Sequence, residues 1–260
     1  MNIQLKNREK AGIFMKIRSV LFGLSILALV ACGQAKEKHA DETSTASSSQ
    51  VLSESSASSS EVAQQETPAP ANSEEKKADF NGTYYSVQGK YGEVIIVNKK
   101  HPLSSDYAPG ENPEAVSAFR EIVAKMHSLG YDVSTTNYSG FRSYETQANL
   151  YQSYVANDGK ENADRYSARA GYSEHQTGLA YDILDSSGAL LTEPSATKWL
   201  AEHAHEYGFI VRYLAGKEDS TGYMAESWHI RYIGKEADDI YQSGQTLEEY
   251  FGVPGGGYEN

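Results

Sequence analysis

The feature that most constrains this chain of 260 residues is a break in composition near Ala78. From Gly33 to Ala78 the sequence is Ser, Ala, Glu, Gln and Lys with Pro68 and Pro70, and no apolar residue recurs at helical or strand spacing. Such a segment cannot bury enough surface to offset the entropy of ordering it, so it reads as a flexible tether. The fold must therefore be built from Asp79–Asn260, which is long enough for one domain with its own core and carries no internal repeat.

The residues before the tether have a different character. Met15-Lys16-Ile17-Arg18 opens a short basic region, and Val20 to Val30 is an apolar run too short for a stable spanning helix. The pattern predicts a signal peptide over residues 1–31, with Met15 a better start than Met1. Leu29-Val30-Ala31-Cys32 resembles a bacterial lipobox, and Cys32 is the only cysteine. One cysteine cannot make an internal disulfide, and lipidation gives it a purpose. Residues 32–78 are then a lipidated cysteine and tether, and residues 79–260 the functional domain. The expected location is the outer face of a bacterial cell membrane.

The formal net charge is −12, and residues 1–31 contribute +4 of it, leaving −16 for the rest. No basic run occurs in the foldable part, which argues against nucleic acid as a partner. The tether has too few basic residues to add much attraction to anionic headgroups, so membrane attachment rests on the lipid.

Within the domain, Tyr84 to Val97 is rich in Tyr, Val and Ile and predicts one or two strands, Glu93 to Asn98 being the clearest. Pro113 precedes Val116, Phe119, Ile122, Val123 and Met126 at helical spacing, and Gly130 ends that helix. A second helix is expected from Tyr144 to Val155 and a third from Pro194 to Gly208. Short strands are expected at Leu179–Leu184, Phe209–Tyr213 and Trp228–Ile233. Thr246 and Glu249 have capping-box spacing for a last short helix, and Gly255 to Asn260 read as loose. Mixed, local strands of this kind predict an α+β fold with a small antiparallel sheet flanked by helices.

The chemistry concentrates in Ser173-Glu174-His175, Asp182 and Glu226-Ser227-Trp228-His229. Two imidazoles, one carboxylate and a spare carboxylate are the components of a hydrolytic zinc site, where three protein ligands leave one position for water. Taken singly, each residue has a plainer reading as a core histidine, a turn aspartate or a solvated charge. His175 and Asp182 are an odd number of positions apart and would point to opposite faces of one strand, so a bend at Gly178 is required. Glu226 and His229 pose the same problem, and the expectation is that Glu226 lies in a loop before a strand that begins at His229. His203 and His205 stand two apart on a predicted helix, point away from each other and read as structural. His101 and His127 have no partner of ligand type at useful spacing.

These motifs, with the upstream Ser139-Gly140-Phe141-Arg142-Ser143 and Val97 to Leu103, closely resemble the VanY D-alanyl-D-alanine carboxypeptidase family, and within it the LdcB and DacB branch of L,D-carboxypeptidases. The resemblance spans roughly Glu93 to Ile233. It implies a zinc peptidase of the LAS type in which His175, Asp182 and His229 hold Zn2+ and Glu226 is the catalytic base. Arg142 falls on the arginine that meets the substrate carbonyl, Ser173 on a serine that helps hold the terminal carboxylate, and Gln147 on a further substrate contact. Tyr213 is a candidate substrate contact because its strand ends near the expected cleft. Tyr144, Tyr151 and Tyr172 could line a peptide groove or pack with wet hydroxyls.

The implied function is removal of the terminal D-alanine from peptidoglycan tetrapeptide stems by a monomer. The alternatives are a D,D-carboxypeptidase acting on pentapeptide stems and a non-catalytic wall-binding lipoprotein with a structural metal. For the anchor, Cys32→Ala is expected to abolish incorporation of labelled palmitate and to shift the protein from membrane to soluble fractions. Persistent labelling would rule out Cys32 as the modified residue.

Overall fold

Pro113 and Asn112 start the helix on which the core is assembled. The Asn112 side chain accepts from the backbone N–H groups of Glu114 and Ala115, and proline at the first helical position lacks only an N–H that would go unpaired there. Helix α1, Pro113–Ser128, buries Ala115, Phe119, Ile122, Val123 and Met126 and yields to Gly130 at φ 89°. Each large side chain on that stripe contributes about 1.5–3 kcal/mol by leaving water. The structure is a computed structural model that describes residues 77–259; the expected signal peptide, Cys32 and nearly all of the tether lie outside them.

Two antiparallel sheets are present among the described residues. The first contains β1 (Asp79–Phe80), β2 (Tyr85–Gln88) and β3 (Glu93–Ile96), in that order. The second contains β4 (Tyr138–Ser139), β5 (Ala180–Ile183), β6 (Phe209–Tyr213) and β7 (Glu226–Tyr232), in the order β4-β5-β7-β6. Helices α2 (Tyr144–Asp158) and α3 (Lys160–Tyr166) follow β4, and α4 (Pro194–His203) precedes a 3-10 turn at Ala204–Tyr207. The short α5 (Glu218–Thr221), α6 (Glu236–Ser243) and α7 (Leu247–Phe251) complete the elements. The α+β architecture is as the sequence predicts.

The second sheet has two unlike faces, as the period-2 alternation of its strands requires. Tyr181, Ile183, Phe209 and Ile230 face α1 and α4 in the main core with Phe119, Met126 and Leu200. The opposite face carries Asp182, His229 and Arg231, because Asp182 pairs with His229 and Ala180 with Arg231. Farther along that face, Ile210 joins Ile96, Ala237, Ile240 and Leu247 in a second cluster under α6 and α7.

Most predicted elements are present, with several short additions and one correction. Helices α3, α5 and α6 and the two-residue strands β1 and β4 were not expected, and the region after Pro194 is an α-helix that tightens to 3-10 before Gly208 in the left-handed conformation. The capping box at Thr246 and Glu249 is formed, with both reciprocal hydrogen bonds. Gly255 to Tyr258 is not loose: the Gly256 N–H donates to the Ser220 carbonyl at 2.8 Å, and Tyr258 packs against Arg169. A Cβ at Gly255 would strike that same carbonyl. These glycines permit close backbone approach, where composition alone reads as slack.

Candidate metal centre and substrate cavity

Three strands bring the centre of the site into one row. Ser139 lies opposite Asp182 across β4 and β5, and Asp182 opposite His229 across β5 and β7. Directly opposed residues share a face of the sheet, so these side chains emerge together. His175 reaches them from a 3-10 turn, Glu174–Thr177, that Gly178 ends at φ 69°. A side chain at Gly178 would be strained at that φ and its Cβ would strike the Gly110 carbonyl, so the bend expected there falls where only glycine fits. Gln176 steadies the turn by donating to the carbonyls of Ser104 and Tyr107 at 2.9 and 3.0 Å.

The hydrogen bonds fix the free nitrogen of His175 and leave that of His229 to the cation it meets. His175 Nδ1 lies 2.8 Å from the Gly140 carbonyl, which can only accept, so Nδ1 carries the hydrogen and Nε2 a lone pair. That lone pair faces Asp182 Oδ2 at 3.2 Å. Both nitrogens of His229 face carboxylates, Nε2 at 3.3 Å from Glu174 Oε2 and Nδ1 at 3.1 Å from Asp182 Oδ1, so Nε2–H can donate to Glu174 while Nδ1 gives its lone pair to a metal. With that lone pair free, two lone pairs face one carboxylate and repel unless a cation lies among them.

The cation can be a proton or a metal. Burial alone pushes His229 down, but hydrogen bonds to Asp182 and Glu174 outweigh it and raise His229 to about 9. Burial likewise raises Asp182, and the two histidines outweigh it, holding its carboxyl well below the usual range. All three ligand atoms lie within 4.8 Å of one another and all three residues are buried. Tetrahedral zinc with bonds of about 2.0 Å separates its ligand atoms by about 3.3 Å, so a cluster drawn together within 4.8 Å has the donors and the approximate spacing that the ion requires.

Glu174 is the support that sequence reasoning left unassigned. It is fully buried, and Arg212 Nε and Arg231 Nη1 both donate to its Oε1, at 2.8 and 2.9 Å. Burial pushes its carboxyl up, but the two guanidinium groups hold it well below the ordinary carboxylate range. Arg212 in turn makes a bidentate pair with Glu248 on α7. One signal in the sequence pointed here: Arg212 and Arg231 interrupt apolar strands, and a charge in such a setting needs a buried partner.

Glu226 corrects an expectation. It is the first residue of β7, not part of a loop before it, and a bulge reconciles its position with that of His229. Val211 pairs with Ile230 and Tyr213 with Glu226, so β7 spends two more residues than β6 over that stretch. Glu226 Oε2 comes within 3.7 Å of His229 Nδ1. Burial raises its carboxyl to about 7, against a lowering by His229, so it can exchange a proton near neutral pH.

The remaining candidates surround a cavity of about 480 Å³ that opens over these residues. Arg142 is held by Gln147 Oε1 at 2.7 Å and Ser139 Oγ at 2.9 Å, with Asp182 at 3.9 Å. Gln147 is buried, and its Nε2 donates to the Ala168 carbonyl at 2.6 Å, so this side chain orients Arg142. Ser173 and Tyr213 line the cavity, the Tyr213 ring 4.9 Å from that of His229. Tyr151 instead donates to Asp164, Tyr172 packs edge-on against Tyr258, and the Tyr144 ring lies against Gly171. His203 stacks on Trp199 and His205 on Tyr241, and both sit outside the metal cluster. His101 is buried against Asn98.

Known proteins are similar to this chain over the region that carries these residues. Residues 110–235 match the family VanY, D-alanyl-D-alanine carboxypeptidase. The chain is 35% identical over 191 residues to the putative carboxypeptidase YodJ of Bacillus subtilis, covering 64% of this chain and 69% of that protein. It is similar to the crystal structure of the L,D-carboxypeptidase DacB from Streptococcus pneumoniae, with 58% identity, TM-score 0.69, and coverage of 70% of this chain and 99% of that one. A vancomycin-resistance D,D-pentapeptidase of the VanY type, solved with Zn(II), is 31% identical at TM-score 0.53, covering 60% of this chain and 97% of that one.

Glu174→Gln is expected to weaken Zn(II) affinity by about 10–100-fold, since it weakens the acceptor that His229 Nε2–H meets. It should also cost about 3–5 kcal/mol of stability, because two buried arginines lose their shared anion. Competition with a chromophoric chelator and denaturant melts measure the two effects. Unchanged metal affinity would remove Glu174 from the metal centre.

Proposed function

Because this chain belongs to the VanY family of D-alanyl-D-alanine carboxypeptidases, we propose that it is a zinc-dependent L,D-carboxypeptidase that removes the terminal D-alanine from peptidoglycan tetrapeptide stems. The observation that carries the choice of bond is the 58% identity to an L,D-carboxypeptidase over nearly all of its length, against 31% to the D,D-pentapeptidase. The convergence of His175 Nε2 and His229 Nδ1 on Asp182 and the position of Glu226 support the chemistry.

Zinc held by His175, Asp182 and His229 would polarise the scissile carbonyl and bring the pKa of a water to about 7. Glu226 takes the proton from the attacking water and hands it to the leaving amine of D-alanine, as expected of a carboxylate poised near neutrality. Arg142, with its fork braced by Gln147 and Ser139, presents N–H groups to the substrate carbonyl oxygen as it gains negative charge. Ser173 and Tyr213 contact the substrate from the cavity wall, Ser173 at the terminal carboxylate.

A D,D-carboxypeptidase would share this machinery and differ in how the cavity receives the residue before the scissile bond. A wall-binding module with a structural metal would need a closed site, and the cluster among the described residues has three ligands with Glu226 beside it. Attachment through Cys32 to the outer membrane face is part of the same proposal, and it places the site at the wall.

Pure tetrapeptide and pentapeptide muropeptides should differ in initial rate, with the tetrapeptide favoured; a faster pentapeptide would reassign the enzyme as D,D-specific. Glu226→Gln is expected to lower D-alanine release by about 10²–10⁴-fold while zinc stays bound. Removing the metal with a chelator should abolish release, and added Zn(II) should restore it.

A further inference from the structure

The segment after α7 lies beyond the residues matched by the family, yet it is seated firmly in the domain. Asn98 Nδ2 donates to the Pro254 carbonyl at 3.1 Å, and a Cβ at Gly256 would come within 2.9 Å of the Asp219 carbonyl. At Gly222, φ 82°, a Cβ would strike the Gly256 carbonyl. These close approaches deliver Tyr258 to the back of the cavity wall.

There Tyr258 makes contacts of three kinds. Its hydroxyl accepts from the Arg169 backbone N–H at 2.9 Å and lies 3.4 Å from the Tyr223 hydroxyl. Its ring stacks on the Arg169 guanidinium with 3.8 Å from carbon to ring centre, and Tyr172 meets it edge-on at 5.0 Å. Arg169 is in turn clamped by Asp164 through hydrogen bonds of 3.0 and 2.7 Å. The stretch from Ser167 to Tyr172 joins α3 to the turn bearing His175 and belongs to no strand, so side-chain contacts such as these decide where it sits.

Two routes lead from these contacts to the site. Ala168, next to Arg169, accepts from Gln147 Nε2, and Gln147 Oε1 accepts from Arg142 Nη1. Tyr223 lines the cavity and packs at 5.0 Å against Tyr213, whose ring lies beside His229. We infer that Tyr258 is a positioning residue, which holds the Ser167–Arg169 wall and, through Gln147, the fork of Arg142. The inference rests on the carboxypeptidase reading of the cavity. A fork displaced by even about 1 Å loses much of its effect on the rate.

The test uses the full chain with Tyr258→Phe, which removes only the hydroxyl, and Tyr258→Ala, which also removes the stacked ring. For tetrapeptide hydrolysis the phenylalanine variant is expected to lower kcat about fivefold, on the scale of one hydrogen bond. The alanine variant should lower it by about tenfold or more, because the cation–π contact is lost as well. In both, KM and Zn(II) affinity should stay within twofold of the parent, since the Arg142 fork acts as the carbonyl oxygen gains charge, and hydrogen exchange should accelerate at the Arg169 amide. A kcat within twofold of the parent in both variants, or a rise in KM with kcat unchanged, would overturn the inference. Unchanged exchange at Arg169 would do the same. A parent protein inactive on the tetrapeptide would refute the substrate reading, and the exchange measurement would then decide the role of Tyr258 by itself.

Discussion

Asp182 stands at the centre of this protein because its two carboxylate oxygens face two imidazole nitrogens at 3.2 and 3.1 Å. That arrangement is repulsive without a cation, and every neighbouring feature maintains it. The Gly140 carbonyl holds one hydrogen on His175 Nδ1, and Glu174 holds one on His229 Nε2. The antiparallel register of β5 and β7 sets Asp182 against His229, and Gly178 turns His175 back toward both. The folded chain thereby holds a site that a cation would balance.

Such a site is costly to fold, since buried ions lose hydration that their partners only partly replace. Here the cost is spread over a connected set: Glu174 between two arginines, and Arg212 shared with Glu248 on α7. The apolar face of the same sheet, packed on α1 and α4, supplies the stabilisation that lets the polar face exist. Structure and chemistry are divided between the two sides of one four-stranded sheet, and the alternation of strand residues makes the division possible.

The division also explains what was legible in the sequence. Helix α1 announced itself through Pro113, five apolar positions and Gly130, and the last helix through Thr246 and Glu249, because these signals are local. Helix α3 has no comparable apolar stripe and was missed. Glu226 was assigned to a loop because the parity argument assumes an even strand, and a bulge has no fixed sequence signature. Glu174 stood in the motif without a role, since its arginine partners arrive from strands 38 and 57 residues away.

By itself the sequence determined the residue types of the site, the α+β class and the need for a bend at Gly178, because composition, periodicity and glycine are properties of neighbouring residues. Only the tertiary structure decided the tautomer of His175, the bracing of Arg142 by Gln147 and the docking of Tyr258 behind the cavity. Those depend on which distant groups meet at hydrogen-bonding distance. That is fixed by strand register and packing, which no single segment encodes.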